Sequence, residues 1–304
     1  MSASVAIPVR RTRLGYEWRA LVELWWWPLV VALLPYRLGL ALAAWLARHV
    51  ALYETAARDG LAHWREVRPG GDDADWLARF RFAKLIDHAD LFWAATRSEA
   101  FLMRQLPPLP EPSLGPGPLV VVSFHYGQGL WLMRWLRAQG ANPRFLSVPS
   151  VREGADSTLM FLYGRLRIRV VERLAGIAPI FVGGARRTIG GALRAGETVY
   201  GLVDVPVQGA EAIAANCRVF DRPVLFPMGV LESARGTGAR AVVLTGRVDP
   251  RGARVVDLDA IGDADAVTMP MLARALEKRL VDDAPVWHLW NVWPAFVARG
   301  PAPS

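Results

Sequence analysis

The sequence predicts an α/β fold, a central mixed sheet flanked by helices, with an apolar N-terminal helical anchor in front of it. Three observations carry this. Residues 24–47 form a 24-residue apolar segment whose only charge is Arg37. A Pro/Gly-rich stretch over 107–118, PPLPEPSLGPGP, stops a long helical pattern. Beyond it, short apolar runs alternate with amphipathic stretches, as strands do when helices cover both faces of a sheet. The expected organisation is a basic N-terminus and membrane anchor over 1–47, a helical lead-in over 48–106, a linker over 107–118 and an α/β catalytic region over 119–304.

The anchor segment reads LWWWPLVVALLPYRLGLALAAWLA and follows Arg10, Arg11 and Arg13. Pro28 and Pro35 each remove a backbone donor and interrupt the helix. Arg37 would cost about 2.5–3.5 kcal/mol at the centre of a bilayer. Trp25, Trp26 and Trp27 suit the headgroup level, since indole is apolar with one polar donor. A kinked or interfacial anchor is therefore expected ahead of a full span, with a helix pair in the globular core as the alternative. A cleaved signal peptide is not supported, because no small-residue cleavage site follows.

Residues 48–106 repeat apolar side chains at three- and four-residue spacing, with Asp72 or Asp73 able to cap the second run. LVVVSF (119–124) reads as a buried strand. GLWLMRWLRAQG (129–140) reads as a helix stopped by Gly140, and RFLSV (144–148) as the next strand. TLMFLYGRL (158–166) is expected as helix and IRVV (168–171) as strand. ARRTIGGALRAG (185–196) is expected as helix and TVYGLVD (198–204) as strand. PVLFPMGVLESARGTG (223–238) holds a short strand and a helix. ARAVVLTGRV (239–248) and ARVVDLD (253–259) pair as a hairpin around Asp249–Gly252, and residues 268–283 form a last helix.

Hydrophobic residues make up 53% of the chain, too few for several membrane spans. One cysteine, Cys217, excludes an internal disulfide and a Cys-rich metal site, and reads as a buried small apolar residue. The net charge of +8 is concentrated in residues 131–200, where eleven arginines face four acids. Such a patch suits an acidic carrier protein, a phosphorylated cofactor or an anionic lipid surface; a solvated surface is the plain alternative. A nucleic-acid partner is not expected, because neither a helix-turn-helix nor exposed aromatics interleaved with the arginines is evident.

The sharpest local feature is Ser123-Phe124-His125-Tyr126-Gly127-Gln128-Gly129, where a buried strand gives way to a helix. Ligands of open α/β sheets bind at that carboxyl edge. A histidine there can act as a general base, and glycines let backbone approach a substrate. No G-x-S-x-G elbow, Walker loop or G-x-G-x-x-G occurs. His49, His63, His88 and His288 lack metal-site spacing and read as structural or surface residues, so no metal is expected.

VVVSFHYGQGLWLMRWLRAQGANPRFLSVP resembles the core of the lysophospholipid acyltransferase superfamily, most closely its lipid A biosynthesis (lauroyl/myristoyl) acyltransferase branch. GGALRAGETVYGLVDVPVQG (190–209) and VFDRPVLFPMGVLESARGTGARAVVLTGRV (219–248) are similar to the family's later blocks. The resemblance implies acyl transfer from acyl carrier protein or coenzyme A to a hydroxyl of a membrane lipid or glycolipid. It implies His125 as the base, no metal or other cofactor, and a site at the cytoplasmic face of the bacterial inner membrane. The family's orienting carboxylate stands five positions after the histidine, and here that position is Leu130. Gln128 and Gly129 replace the family's asparagine and aromatic. The alternative is therefore a catalytically silent relative that binds lipid or a partner enzyme.

If His125 works, its acid comes from elsewhere. Asp204 is the best candidate, since it ends the strand TVYGLVD and strand ends gather along one edge; it can also simply hold the following loop. Gly127 and Gln128 are candidates for substrate contact. Arg165, Arg167, Arg186 and Arg187 are candidates for the donor's acidic or phosphate groups, because guanidinium binds phosphate bidentately. The alternation in RLRIR fits equally a strand with one charged face.

Overall fold

The computed structural model describes residues 13–107, 114, 117–150, 157–207 and 214–297. The basic residues Arg10 and Arg11 and most of the 107–118 linker lie outside them. The chain opens with α1 (Arg13–Ala20), a π-helical stretch (Leu21–Trp26), α2 (Trp27–Leu33) and α3 (Tyr36–His49). The widened turn lies directly before Pro28, whose ring would clash with the Leu24 carbonyl of a regular α-helix. Leu34 is extended, as a residue preceding proline must be, and Pro35 turns the chain back. Gly39 lets α3 close on α2, because a Cβ there would lie 2.4 Å from the Val31 carbonyl oxygen.

This helix pair is part of the globular core. Val31, Ala32, Ala43 and Leu46 are buried in one cluster with Leu85, Ile86, Ala89 and Trp93 of α5 (Asp73–Thr96). Trp25 donates to the Leu159 carbonyl at 3.1 Å, and Arg37 stays exposed. Among the described residues no helix is long and apolar enough to cross a membrane. The expected apolar segment folds as a kinked helical hairpin whose turn is set by proline and whose inner face packs on α5, and none of its helices is long and apolar enough to cross a membrane.

The lead-in folds as α4 (Glu54–Val67), α5 and α6 (Glu99–Met103). Asp72 caps α5, accepting from the Ala74 and Asp75 amides. Then follow β1 (Leu119–Ser123), α7 (Gly129–Ala138), β2 (Pro143–Ser147), α8 (Thr158–Ala175), β3 (Ile180–Phe181), α9 (Ala185–Arg194) and β4 (Thr198–Leu202). A two-stranded ribbon, β5 (Ala214–Val219) and β6 (Arg222–Pro227), precedes α10 (Gly229–Ala234), β7 (Arg240–Val248), β8 (Arg254–Asp263) and α11 (Met269–Asp283). A single-turn 3-10 segment, Ala284–Val286, and another, Trp290–Ala295, complete it.

The six-stranded sheet runs β3-β2-β4-β1-β7-β8, parallel except for the β7–β8 hairpin. It is mixed and helices flank it. Strand β1 shows the two-residue period directly: Val120 and Val122 enter the core on one face, Leu119 and Val121 the core on the other. Cys217 is buried on β5.

Two local expectations change. IRVV (168–171) is not a strand but the continuation of α8, whose buried Tyr163, Val170, Val171 and Leu174 keep a helical spacing up to Gly176, a left-handed C-cap. With it goes the strand reading of RLRIR. Strand β5 is additional; its Cys217 and Val219 are buried and Ala215 packs against the core beside them.

Candidate active site

Strands β1 and β4 lie side by side in parallel, with Ser123 registered against Leu202. Each carries a polar side chain two residues past that pair, His125 on one and Asp204 on the other. Equal offsets from a common register bring the two side chains to the same level of the sheet's carboxyl edge. His125 Nδ1 lies 2.9 Å from Asp204 Oδ1, and the His125 amide donates to Oδ2 at 2.7 Å. Trp287 Nε1 donates to Oδ2 as well, at 2.7 Å. Asp204 is wholly buried, and three donors satisfy its carboxylate. A carboxylate only accepts, so Nδ1 carries a proton, and in the neutral imidazole the lone pair lies on Nε2. The His125 side chain is 31% exposed, open enough to meet a substrate.

The loop that holds His125 is latched on both sides. Gly127 has φ +67°, and a Cβ there would sit 1.9 Å from the Gly246 carbonyl oxygen on β7. Only glycine fits that close approach. The Gln128 amide donates to the Gly246 carbonyl at 2.9 Å, and the Gly127 amide to the Val286 carbonyl at 3.1 Å. The His288 amide donates to the His125 carbonyl at 2.8 Å, and His288 Nε2 to the Gly127 carbonyl at 2.7 Å. Burial pushes the His288 imidazole down to about 3, so it is neutral at ordinary pH. Its Nδ1 is buried without a hydrogen-bond partner among the described residues.

His125 opens onto a cavity of about 380 Å³ whose lining is mainly apolar, with Leu130, Met133, Phe145, Tyr200 and Val171 among its walls. Ser147, Ser150 and His288 also line it, together with one ion pair. Arg167 pairs bidentately with Asp87, at 3.1 and 3.3 Å, and its Nη1 is 3.4 Å from the Tyr163 hydroxyl. Burial alone would raise the Asp87 carboxyl, but the Arg167 guanidinium outweighs it and holds the group well below the usual carboxylate range.

The candidate residues divide accordingly. His125, Asp204 and Gly127 meet at one point, and Arg167 lines the cavity with its charge matched by Asp87. Leu130, five positions after His125, is an apolar part of the cavity wall. Gln128 does not face the cavity. Its amide is fixed on Gly246, and the side chain is buried on the other side, near Trp131 and Gly246. Arg165 is exposed and stacks on Phe161 of its own helix, outside the cavity lining. Arg186 and Arg187 are exposed in the first turn of α9, on the same edge of the sheet as His125 but not in the cavity wall.

Sequence reasoning did not single out Trp287 or Asp87, and it read His288, which is buried and holds the Gly127 carbonyl, only as a structural or surface residue. The only available signal was the block VWHLWNVW (286–293), where His288 stands among tryptophans rather than charges. Among the described residues no group of three or more His, Cys, Asp or Glu side chains could hold a metal. No family model matches this chain, and no curated protein matches its sequence. The site itself offers an imidazole base, an orienting buried carboxylate and an apolar chamber beside them.

Proposed function

We propose that the protein transfers a fatty acyl group from acyl carrier protein or coenzyme A to a hydroxyl of a membrane lipid or glycolipid. The observation that carries this reading is the His125–Asp204 contact at the mouth of an apolar cavity. In the step, the acceptor hydroxyl attacks the thioester carbonyl while its proton passes to His125 Nε2. The C–S bond then breaks, an ester forms, and the proton leaves with the thiol. Asp204 holds the imidazole in the basic tautomer and stabilises the imidazolium. The cavity takes the acyl chain, since burying methylenes is worth about 0.8 kcal/mol each.

The resemblance of the His125 region to the lipid A acyltransferase branch supports the choice of thioester donors. It also supports a place at the cytoplasmic face of the bacterial inner membrane. Exposed Leu14, Trp18, Trp26 and Leu33 on the first helices suit peripheral attachment there. Arg186 and Arg187 suit the acidic or phosphorylated donor.

The test is acyl transfer by wild type and His125→Ala with both donor types. The variant is expected to lose about 10²–10⁴-fold in turnover with its fold intact. Equal nonzero rates would remove His125 from the reaction. Lipid binding by a wild type that consumes neither donor would favour the catalytically silent alternative, whose motive is Leu130.

A further inference from the structure

Helices α7 and α8 each follow a strand and run back along the sheet, so each has one end beside His125 and one at the opposite edge. The first half of α7, through Leu130 and Met133, and the middle of α8, through Arg167 and Ile168, wall the apolar cavity. Their last turns wall a second, open cavity of about 570 Å³. Four arginines line it, Arg97, Arg134, Arg137 and Arg173, with Glu99 as the single carboxylate.

Part of this charge has a structural task, because the arginines meet the carbonyl ends of α2, α5 and α8. Arg97 donates to the Ala32, Leu33 and Leu34 carbonyls at the end of α2, its closest bond being 2.6 Å. Arg137 donates to the Leu174 carbonyl at 2.8 Å, and Arg173 to the Ala94 carbonyl. Arg134, 95% withdrawn from solvent, pairs with Glu99, whose side chain is 67% exposed. A helix C-terminus carries about half a negative charge. These ends and the one carboxylate take up part of the charge of the four guanidiniums. Each guanidinium also has five N–H donors, of which the carbonyls engage one on Arg137 and one on Arg173.

We propose that this arginine-lined cavity binds a phosphate ester, the headgroup phosphate of an anionic phospholipid. Planar guanidiniums match phosphate oxygens in pairs. The lipid source is favoured by the rim, where Met103 is 39% and Leu33 57% exposed beside Arg97. Phosphate and apolar neighbours are what a bilayer surface presents together. The inference is independent of the acyl-transfer reading, and its test does not use activity.

The full chain is sedimented with vesicles of phosphatidylcholine alone and of equal parts phosphatidylcholine and phosphatidylglycerol. Arg137→Gln with Arg173→Gln is expected to lower partition onto the anionic vesicles by roughly thirty-fold, and not onto the neutral ones. The charge-matched control, Arg218→Gln with Arg235→Gln, removes two exposed guanidiniums from the β5–β6 ribbon and the end of α10. An equal loss in the control, or no loss in the cavity variant, overturns the proposal. A second arm needs no variant. Wild type is titrated calorimetrically with dihexanoylphosphatidylglycerol below its micelle concentration and with inorganic phosphate. Saturable binding of the lipid, weaker for inorganic phosphate, supports the assignment. Binding of inorganic phosphate alone overturns the lipid source, and binding of neither overturns the site.

Discussion

His125 and Asp204 are joined twice, once through the imidazole at 2.9 Å and once through the His125 backbone amide at 2.7 Å. One carboxylate therefore sets both the loop and the tautomer. Asp204→Asn keeps the volume but places an NH₂ group among three donors. Turnover is expected to fall by about 10³–10⁴-fold, as when a buried aspartate behind a catalytic histidine is neutralised. The check is kcat with both donors, alongside a thermal melt that separates lost chemistry from lost fold.

The cavity predicts how chain length is read. Met133 sits in its wall on α7. Met133→Trp is expected to shift preference toward shorter acyl donors, by roughly four-fold in kcat/KM for each methylene excluded. A donor series of increasing length measures the shift, and an unchanged optimum would show that the chain lies elsewhere.

Gly127 has no room for a side chain. Gly127→Ala must both hold φ +67° and move the Gly246 carbonyl. The expected cost is at least about 1–3 kcal/mol, read as a lower urea midpoint, and activity should drop with it because His125 is two residues away.

The buried His288 makes stability fall in acid. Its folded value is about 3 against an ordinary 6.5. Between those values the unfolded chain binds the proton and the folded chain does not. The stabilisation is complete above pH 6.5 and is lost as pH falls toward 3, at about 1.4 kcal/mol per pH unit from this residue. His288→Gln can keep a donor for the Gly127 carbonyl and removes the titration. Urea unfolding across that window should show a slope smaller by about one proton in the variant.

Much of this architecture is written in short-range pattern. Strand β1 is a continuous apolar run, and its end is marked by His125 and glycines. The offset of Asp204 from β4 follows from treating strand ends as one edge. What was not legible depends on partners distant in sequence. α8 contains Ile168, Val170 and Val171, a β-branched run whose helical spacing shows only when Tyr163 and Leu174 are counted with it. Gln128 looks like a substrate contact until Gly246, far along the chain, is seen to hold its amide. The first helices match the composition of a membrane segment, and only the face offered by α5 shows that their inner side belongs to the core. Asp87 and His288 lie in segments that read as plain helix and aromatic filler.

The latch on the His125 loop also sets an order of assembly during synthesis. Val286, Trp287 and His288 hold Gly127, Asp204 and the His125 carbonyl. All of β1–β4 leaves the ribosome well before them. Asp204 can meet His125 once β1 and β4 pair, whereas the contacts from residues 286–288 can form only after that later segment has emerged. The Gly127 turn and Asp204 thus receive their remaining partners, Val286, Trp287 and His288, only from the segment that follows α11.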